Sequence, residues 1–123
     1  TAEVYRRFDM DKVNNPPDNR AFLEGWHHCD MIGISRAMEN VLETVTAAHY
    51  QEIDQIKERL IRLGAIKALM SGSGPTVFGL FRDRASAEQA WYEFQPCEEE
   101  IFLVTSYDGR KSAWKRNVCN RST

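Results

Sequence analysis

The chain has no apolar run of the roughly 18 residues that a membrane-crossing helix needs. Nothing at its start has the basic, apolar, small-residue order of a secretory signal. Cysteine is sparse: Cys29, Cys97 and Cys119 are the three in 123 residues. An odd number at wide spacings excludes a disulfide framework and a zinc pattern, and suits a reducing, cytoplasmic compartment. An excess of either charge is also missing. A net charge of −2 and a pI near 5.9 give no general pull towards nucleic acid or an anionic membrane. No Ser-His-Asp constellation is readable, no carboxylate pair stands out, and no thiol carries a nucleophile signature. Asp9 and Asp11 flank Met10, too little to define a magnesium site. The adjacent His27 and His28 point in different directions without a partner at metal-ligand spacing, and read as solvated surface. No metal ligand is assigned.

What remains is the composition of an ordinary globular domain, 42% hydrophobic and 28% charged, long enough for one core. It opens on Thr1-Ala2-Glu3-Val4, as a processed terminus or a piece of a longer protein would. Thr1 to Phe8 spells one or two helical turns, with Thr1 as cap and Glu3 near the positive end of the dipole. Val4 and Phe8 share a face, and Tyr5 lies beside them as a half-buried packing residue. Residues 11–18, with Asn14-Asn15-Pro16-Pro17, form a loop. Asp18 caps a second helix, with Phe22, Leu23 and Trp26 on one side, fading near Cys29-Asp30. Gly33 marks a break. After it, Ile34, Met38, Val41, Leu42 and Val45 make one helical stripe. Asn40 sits within that helix, where its side chain can bond a neighbouring loop.

The strongest helix runs from His49 to Leu63, with Ile53, Ile56, Leu60 and Leu63 at helical spacing. Its acids lie early and its bases late, and Gly64 is the stop. The charged face, including Lys57 and Arg59, reads as solvated surface. Two apolar runs follow, at about 65–71 and 76–82. Asp83 or Ser86 caps a further helix with Ala87, Ala90, Trp91 and Phe94 inward, and Pro96 limits it. Glu98-Glu99-Glu100 is a solvated acidic patch. Ile101 to Thr105 is a third strand, and Asp108-Gly109 a turn. Arg110, Lys111, Lys115, Arg116 and Arg121 make a basic tail, in which Trp114 adds an edge strand or docks on the core. The order predicts an α+β two-layer sandwich: a ferredoxin-like antiparallel sheet with helices packed on one face. The run–helix–strand from 76 to 105 is expected to be a right-handed crossover within that sheet.

The stretch between the two runs is Ser71-Gly72-Ser73-Gly74-Pro75-Thr76. Two glycines permit positive φ and remove two Cβ atoms. Pro75 fixes its own φ and is expected to push Gly74 towards an extended shape. Successive amides in such a loop can converge on an anion, and three hydroxyls can donate without charge. The same residues also make an ordinary connection between strands. The spacing is neither a Walker A loop nor a dinucleotide fingerprint.

Gly64-Ala65 followed by Leu69-Met70-Ser71-Gly72-Ser73-Gly74-Pro75-Thr76-Val77-Phe78-Gly79-Leu80 closely resembles the third motif of the GHMP kinases. Three other places agree in order and spacing. Thr1-Ala2-Glu3-Val4-Tyr5 looks like a Thr-x-x-x-Tyr segment opening the C-terminal half of a member of that family. Asn40-Val41-Leu42-Glu43 resembles its Asn-x-Leu-Glu helix. Tyr50, Ile53 and Lys57 resemble its Tyr-x-x-Ile-x-x-x-Lys run. The resemblance covers most of 1–107, a C-terminal domain, and leaves 108–123 as a tail without counterpart. It implies a parent enzyme that moves the γ-phosphoryl of ATP, with Mg2+, to the 2-hydroxyl of a cytidyl-containing small molecule in the non-mevalonate route to isoprenoids. The family's catalytic Asp and Lys and its first phosphate loop belong to an N-terminal kinase domain that this sequence lacks. No catalytic residue is therefore assigned here, and the domain alone is expected to be inactive and to bind no cofactor. The resemblance further implies that Ser71 to Thr76 close over phosphates, that Tyr5 stacks on the cytosine and that Thr1 lines the same cleft. A stand-alone ferredoxin-like binding or regulatory module, with the loop as a plain hairpin, is the alternative.

Overall fold

A computed structural model describes residues 1–9, 13, 16–95 and 99–106, and 115–117 by their backbone. The expectations placed on Asp11, Asn14, Asn15, Pro96, Glu98, Asp108, Gly109 and Trp114 lie outside the described residues.

The two apolar runs form a hairpin. Strand β1 (Lys67–Met70) pairs antiparallel with β2 (Val77–Leu80), in register from Lys67↔Leu80 to Met70↔Val77. The Ile66 amide extends the ladder by donating to Leu80 O at 2.8 Å. Ala68, Leu69 and Met70 are buried, whereas β2 is more open. Helix α5 (Gln51–Arg62) lies across both strands. Its Ile53 meets Leu42 and Met70 in the core, and Val4, Phe8 and Val77 pack around that centre. Gly64 ends the helix at φ +100°, where a residue without Cβ costs least.

Helix α6 (Arg84–Glu93) is capped by Asp83, whose carboxylate accepts from the Ser86 amide at 2.8 Å and from Ser86 Oγ at 2.5 Å. Those two bonds hold the exposed Asp83 carboxyl below its usual pKa. Ala90 and Phe94 turn inward as expected. The helix packs on β3 (Ile101–Leu103), which pairs antiparallel with β4 (Lys115–Asn117), Ile101 opposite Asn117. The expected crossover sheet is therefore not seen among the described residues. The strands form two separate two-stranded sheets. β3 takes as its partner β4, a basic segment without strand patterning. The coarser α+β reading stands, with helices and small antiparallel sheets in one chain.

The N-terminal helices depart further from expectation. Helix α1 (Ala2–Arg7) turns Val4 and Phe8 to the core, but Thr1 makes no capping bond with its side chain. Helix α2 (Asn19–His27) and helix α3 (Met31–Ala37) pack closely on each other. Gly25 is the contact point: a Cβ there would stand 2.9 Å from Ile34 N. Gly33 is not a break but lies in the first turn of α3. Its amide donates to Asp30 Oδ1 at 3.0 Å, and the carboxylate folds over the space a Cβ would fill. The single helix expected from Ile34 to Val45 is in fact two, α3 and the one-turn α4 (Glu43–Thr46). The stripe divides between two packings: Ile34 of α3 lies against Gly25 of α2, and Leu42, just before α4, joins Ile53 and Met70 in the core. Between them Asn40 is drawn out of helical geometry towards the hairpin.

Candidate functional site

The β1–β2 connection is a built turn. The Ser71 amide donates to Thr76 O at 2.7 Å and closes the hairpin, and the Gly74 amide donates to Ser71 O at 3.1 Å inside it. Gly72 and Gly74 stand at φ +57° and +83°, in the left-handed region that glycine enters without Cβ penalty. Gly74 is thus not extended as the following proline suggested. Reversing the chain this tightly requires the left-handed backbone, and glycine permits it.

Residues 40–46 hold this turn from beneath. Asn40 Nδ2 donates to Met70 O at 2.7 Å and to Gly72 O at 2.8 Å, while its Oδ1 accepts from Leu42 N at 3.0 Å. Glu43 Oε1 accepts from Met70 N at 2.5 Å, and its Oε2 accepts from Lys57 Nζ at 2.5 Å. Buried Thr46 donates its hydroxyl to Ser73 O at 3.3 Å. The Glu43 and Lys57 side chains are only 15% and 24% exposed. The ion pair is therefore part of the support beneath the turn and differs from an exposed surface bridge.

Thr1 joins from the other side. Ser73 Oγ and Thr1 Oγ1 are 3.1 Å apart, so the hydroxyl expected to cap α1 instead meets the turn. Tyr5 follows one helical turn later, its amide donating to Thr1 O at 3.2 Å. The ring is 59% exposed rather than half-buried in packing. The structure thus brings Thr1 to Ser73 of the turn, with Tyr5 one helical turn further along α1. No protein acceptor among the described residues engages the Gly72, Ser73 or Thr76 amides. The turn offers neutral donors only, which can stabilise an anion without supplying a base or nucleophile. No group of three His, Cys, Asp or Glu among the described residues could hold a metal ion.

Asn40's bond to a loop was legible; the parts played by Glu43, Thr46 and Lys57 were not. Their signal was Asn40, Glu43 and Thr46 recurring every third residue among Val41, Leu42 and Val45, a polar line beside the apolar one. Lys57 and Arg59, expected on a solvated face, are both engaged. Arg59 donates to Phe94 O at 2.7 Å and lies 4.1 Å over the Phe94 ring, tying α5 to the end of α6.

The family described as GHMP kinases C terminal matches residues 23–97. A 4-diphosphocytidyl-2-C-methyl-D-erythritol kinase of Syntrophomonas wolfei subsp. wolfei is 51% identical over 107 residues, which is 87% of this chain and 38% of that protein. A protein of the same name from Alkaliphilus metalliredigens is 36% identical over 111 residues, 90% of this chain and 38% of its own length. One from Clostridioides difficile is 35% identical over 106 residues, 86% of this chain and 36% of its own. The chain therefore spans well under half of the curated relatives it matches. No solved structure matches it.

Proposed function

The chain belongs to the GHMP kinases through their C-terminal domain, and from that footing we propose that it is the C-terminal part of a 4-diphosphocytidyl-2-C-methyl-D-erythritol kinase. Such an enzyme moves the γ-phosphoryl of ATP to the 2-hydroxyl of that substrate, in the non-mevalonate route to isoprenoids. The observation that carries the reading is the 3.1 Å meeting of Ser73 Oγ with Thr1 Oγ1. It places the turn, with its free amides, next to the helix that bears an exposed tyrosine.

Phosphoryl transfer needs positioning and stabilisation of charge more than covalent chemistry from the protein. The Gly72 and Ser73 amides and the Ser71 and Thr76 hydroxyls supply neutral donors to phosphate oxygens, while the Ser73 hydroxyl donates to Thr1. Tyr5 supplies a ring for the cytosine, and Thr1 lines the space between. ATP is a substrate of the reaction and enters with its Mg2+. No described residue of this chain is assigned to that ion, and the domain alone is expected to bind neither. The catalytic base and the first phosphate loop fall to an N-terminal kinase domain, the partner of this one. Leu23 and Trp26, 53% and 61% exposed, are apolar surface that a partner domain would cover. A cytoplasmic location fits the free thiol of exposed Cys29.

Tyr5 gives the direct test. In the intact enzyme, Tyr5→Ala is expected to raise KM for the cytidyl substrate about 5- to 150-fold, as loss of about 1–3 kcal/mol of stacking implies. KM for ATP stays near wild type, and Tyr5→Phe keeps most of the affinity. Unchanged KM for the cytidyl substrate in Tyr5→Ala would remove Tyr5 from the site.

A further inference from the structure

We propose that Asn40 is the positioning residue of the turn: it aims the Ser73 amide outward, as a donor to a phosphate oxygen. The inference rests on the kinase reading above and adds a residue to it.

Asn40 lies in the 38–42 link between α3 and α4, outside both helices. Its Oδ1 accepts from Leu42 N at 3.0 Å, which leaves the Nδ2 end of the amide facing the hairpin. That one NH2 group donates to Met70 O and Gly72 O at 2.7 and 2.8 Å, so both its hydrogens are used. In a planar trans peptide the N–H points opposite to the C=O. The Gly72–Ser73 peptide is trans, the cis bond of this turn being Gly74–Pro75. Holding Gly72 O against Asn40 therefore turns the Ser73 N–H away from the cradle and into the open. The neighbouring peptides are fixed by other means. Ser71 O is held by the Gly74 amide, and Ser73 O by Thr46 Oγ1. Asn40 is thus the side chain that sets the orientation of the Gly72–Ser73 peptide. Met70 O, at the end of a buried strand, anchors it to the buried side of the hairpin. An inward-turned amide, like that of Gly74, is occupied and has no hydrogen to offer.

The test uses Asn40→Asp in the intact protein that carries this domain. The change keeps shape and the acceptor to Leu42 N, but sets a carboxylate oxygen against the Met70 and Gly72 carbonyls. Repulsion there favours a turned peptide. The expected result is a fall in kcat on the order of 100-fold, the usual effect of losing one preorganised donor. KM for the cytidyl substrate stays within about two-fold, because Tyr5 lies on α1 and not on the cradle. A merely structural role would move both constants or neither. Unchanged kcat in a folded Asn40→Asp protein would overturn the inference.

A second measurement keeps it decidable if the variant fails to fold, or if the wild-type protein proves inactive on that substrate. Amide resonances of the wild-type intact protein are followed as pyrophosphate is added. The Ser73 amide is expected to shift, and the Gly74 amide, bonded to Ser71 O, to stay. A silent Ser73, or a Gly74 that shifts as much, would overturn the assignment. An inactive wild-type protein with a responsive Ser73 would sink the kinase reading and leave Asn40 its role.

Discussion

Gly74→Val is expected to remove about 2–5 kcal/mol of stability. Two costs combine. A side chain forced into the left-handed region at φ +83° costs about 1–2 kcal/mol. The new Cβ would stand 2.8 Å from Met70 Sδ and 3.2 Å from Thr46 Cγ2, and overpacking of this kind adds about 1–3 kcal/mol. Both neighbours are buried, Met70 at 1% exposure, so neither can swing into solvent. Against a typical total of about 5–15 kcal/mol, the loss is large, and urea unfolding will show it as a lowered midpoint. From the sequence a valine at 74 reads as a change confined to the loop, lowering turnover without unfolding. The packing beneath Gly74 says otherwise. Gly72 is the cleaner probe: a Cβ there meets nothing within 4 Å. Gly72→Ala is expected to cost only about 1 kcal/mol, from its φ, while placing a methyl where a phosphate would approach. Equal stabilities of Gly74→Val and wild type would show that the Gly74 backbone does not face the core.

Glu43→Ala should be the next most damaging change, at about 2–4 kcal/mol. The buried Met70 amide loses its acceptor, which costs about 1–3 kcal/mol, and Lys57 is left in the core's margin without a counter-charge. Glu43→Gln keeps an oxygen for Met70 N but likewise leaves Lys57 without a counter-charge, and should cost about 1 kcal/mol. The gap between the two variants measures the bond to Met70 apart from the ion pair. If Glu43→Ala behaves like an ordinary surface substitution, within about 0.5 kcal/mol, then residues 40–46 do not support the hairpin.

The parts of the fold that repeat locally were legible. The apolar runs either side of the glycines gave β1 and β2, and the spacing of Ile53, Ile56, Leu60 and Leu63 gave α5, because burial imposes a period on neighbouring residues. The breaks were not. Ile34 to Val45 keeps helical periodicity across a gap, and Asn40, in that gap, reaches to Met70 and Gly72. Gly33 misled for a similar reason: its missing Cβ makes room for the Asp30 carboxylate and does not end a helix. Lys57 and Arg59 read as solvent-facing because their partners, Glu43 and Phe94, are distant in sequence. The turn itself was legible as six residues, and Thr1 and Tyr5 entered through the family resemblance. That Thr1 touches Ser73 is a tertiary fact which no local pattern carries.

The most direct test of the central claim, that the 71–76 turn and the start of α1 form the two ends of one substrate cleft, is an amide-shift titration of the intact protein. The cytidyl substrate is added first and then a non-hydrolysable ATP analogue. The account expects shifts at Thr1 to Tyr5 with the first ligand, and at Gly72 to Thr76 as the phosphates fill. Saturating binding of both ligands with Tyr5 and the turn unmoved would contradict it.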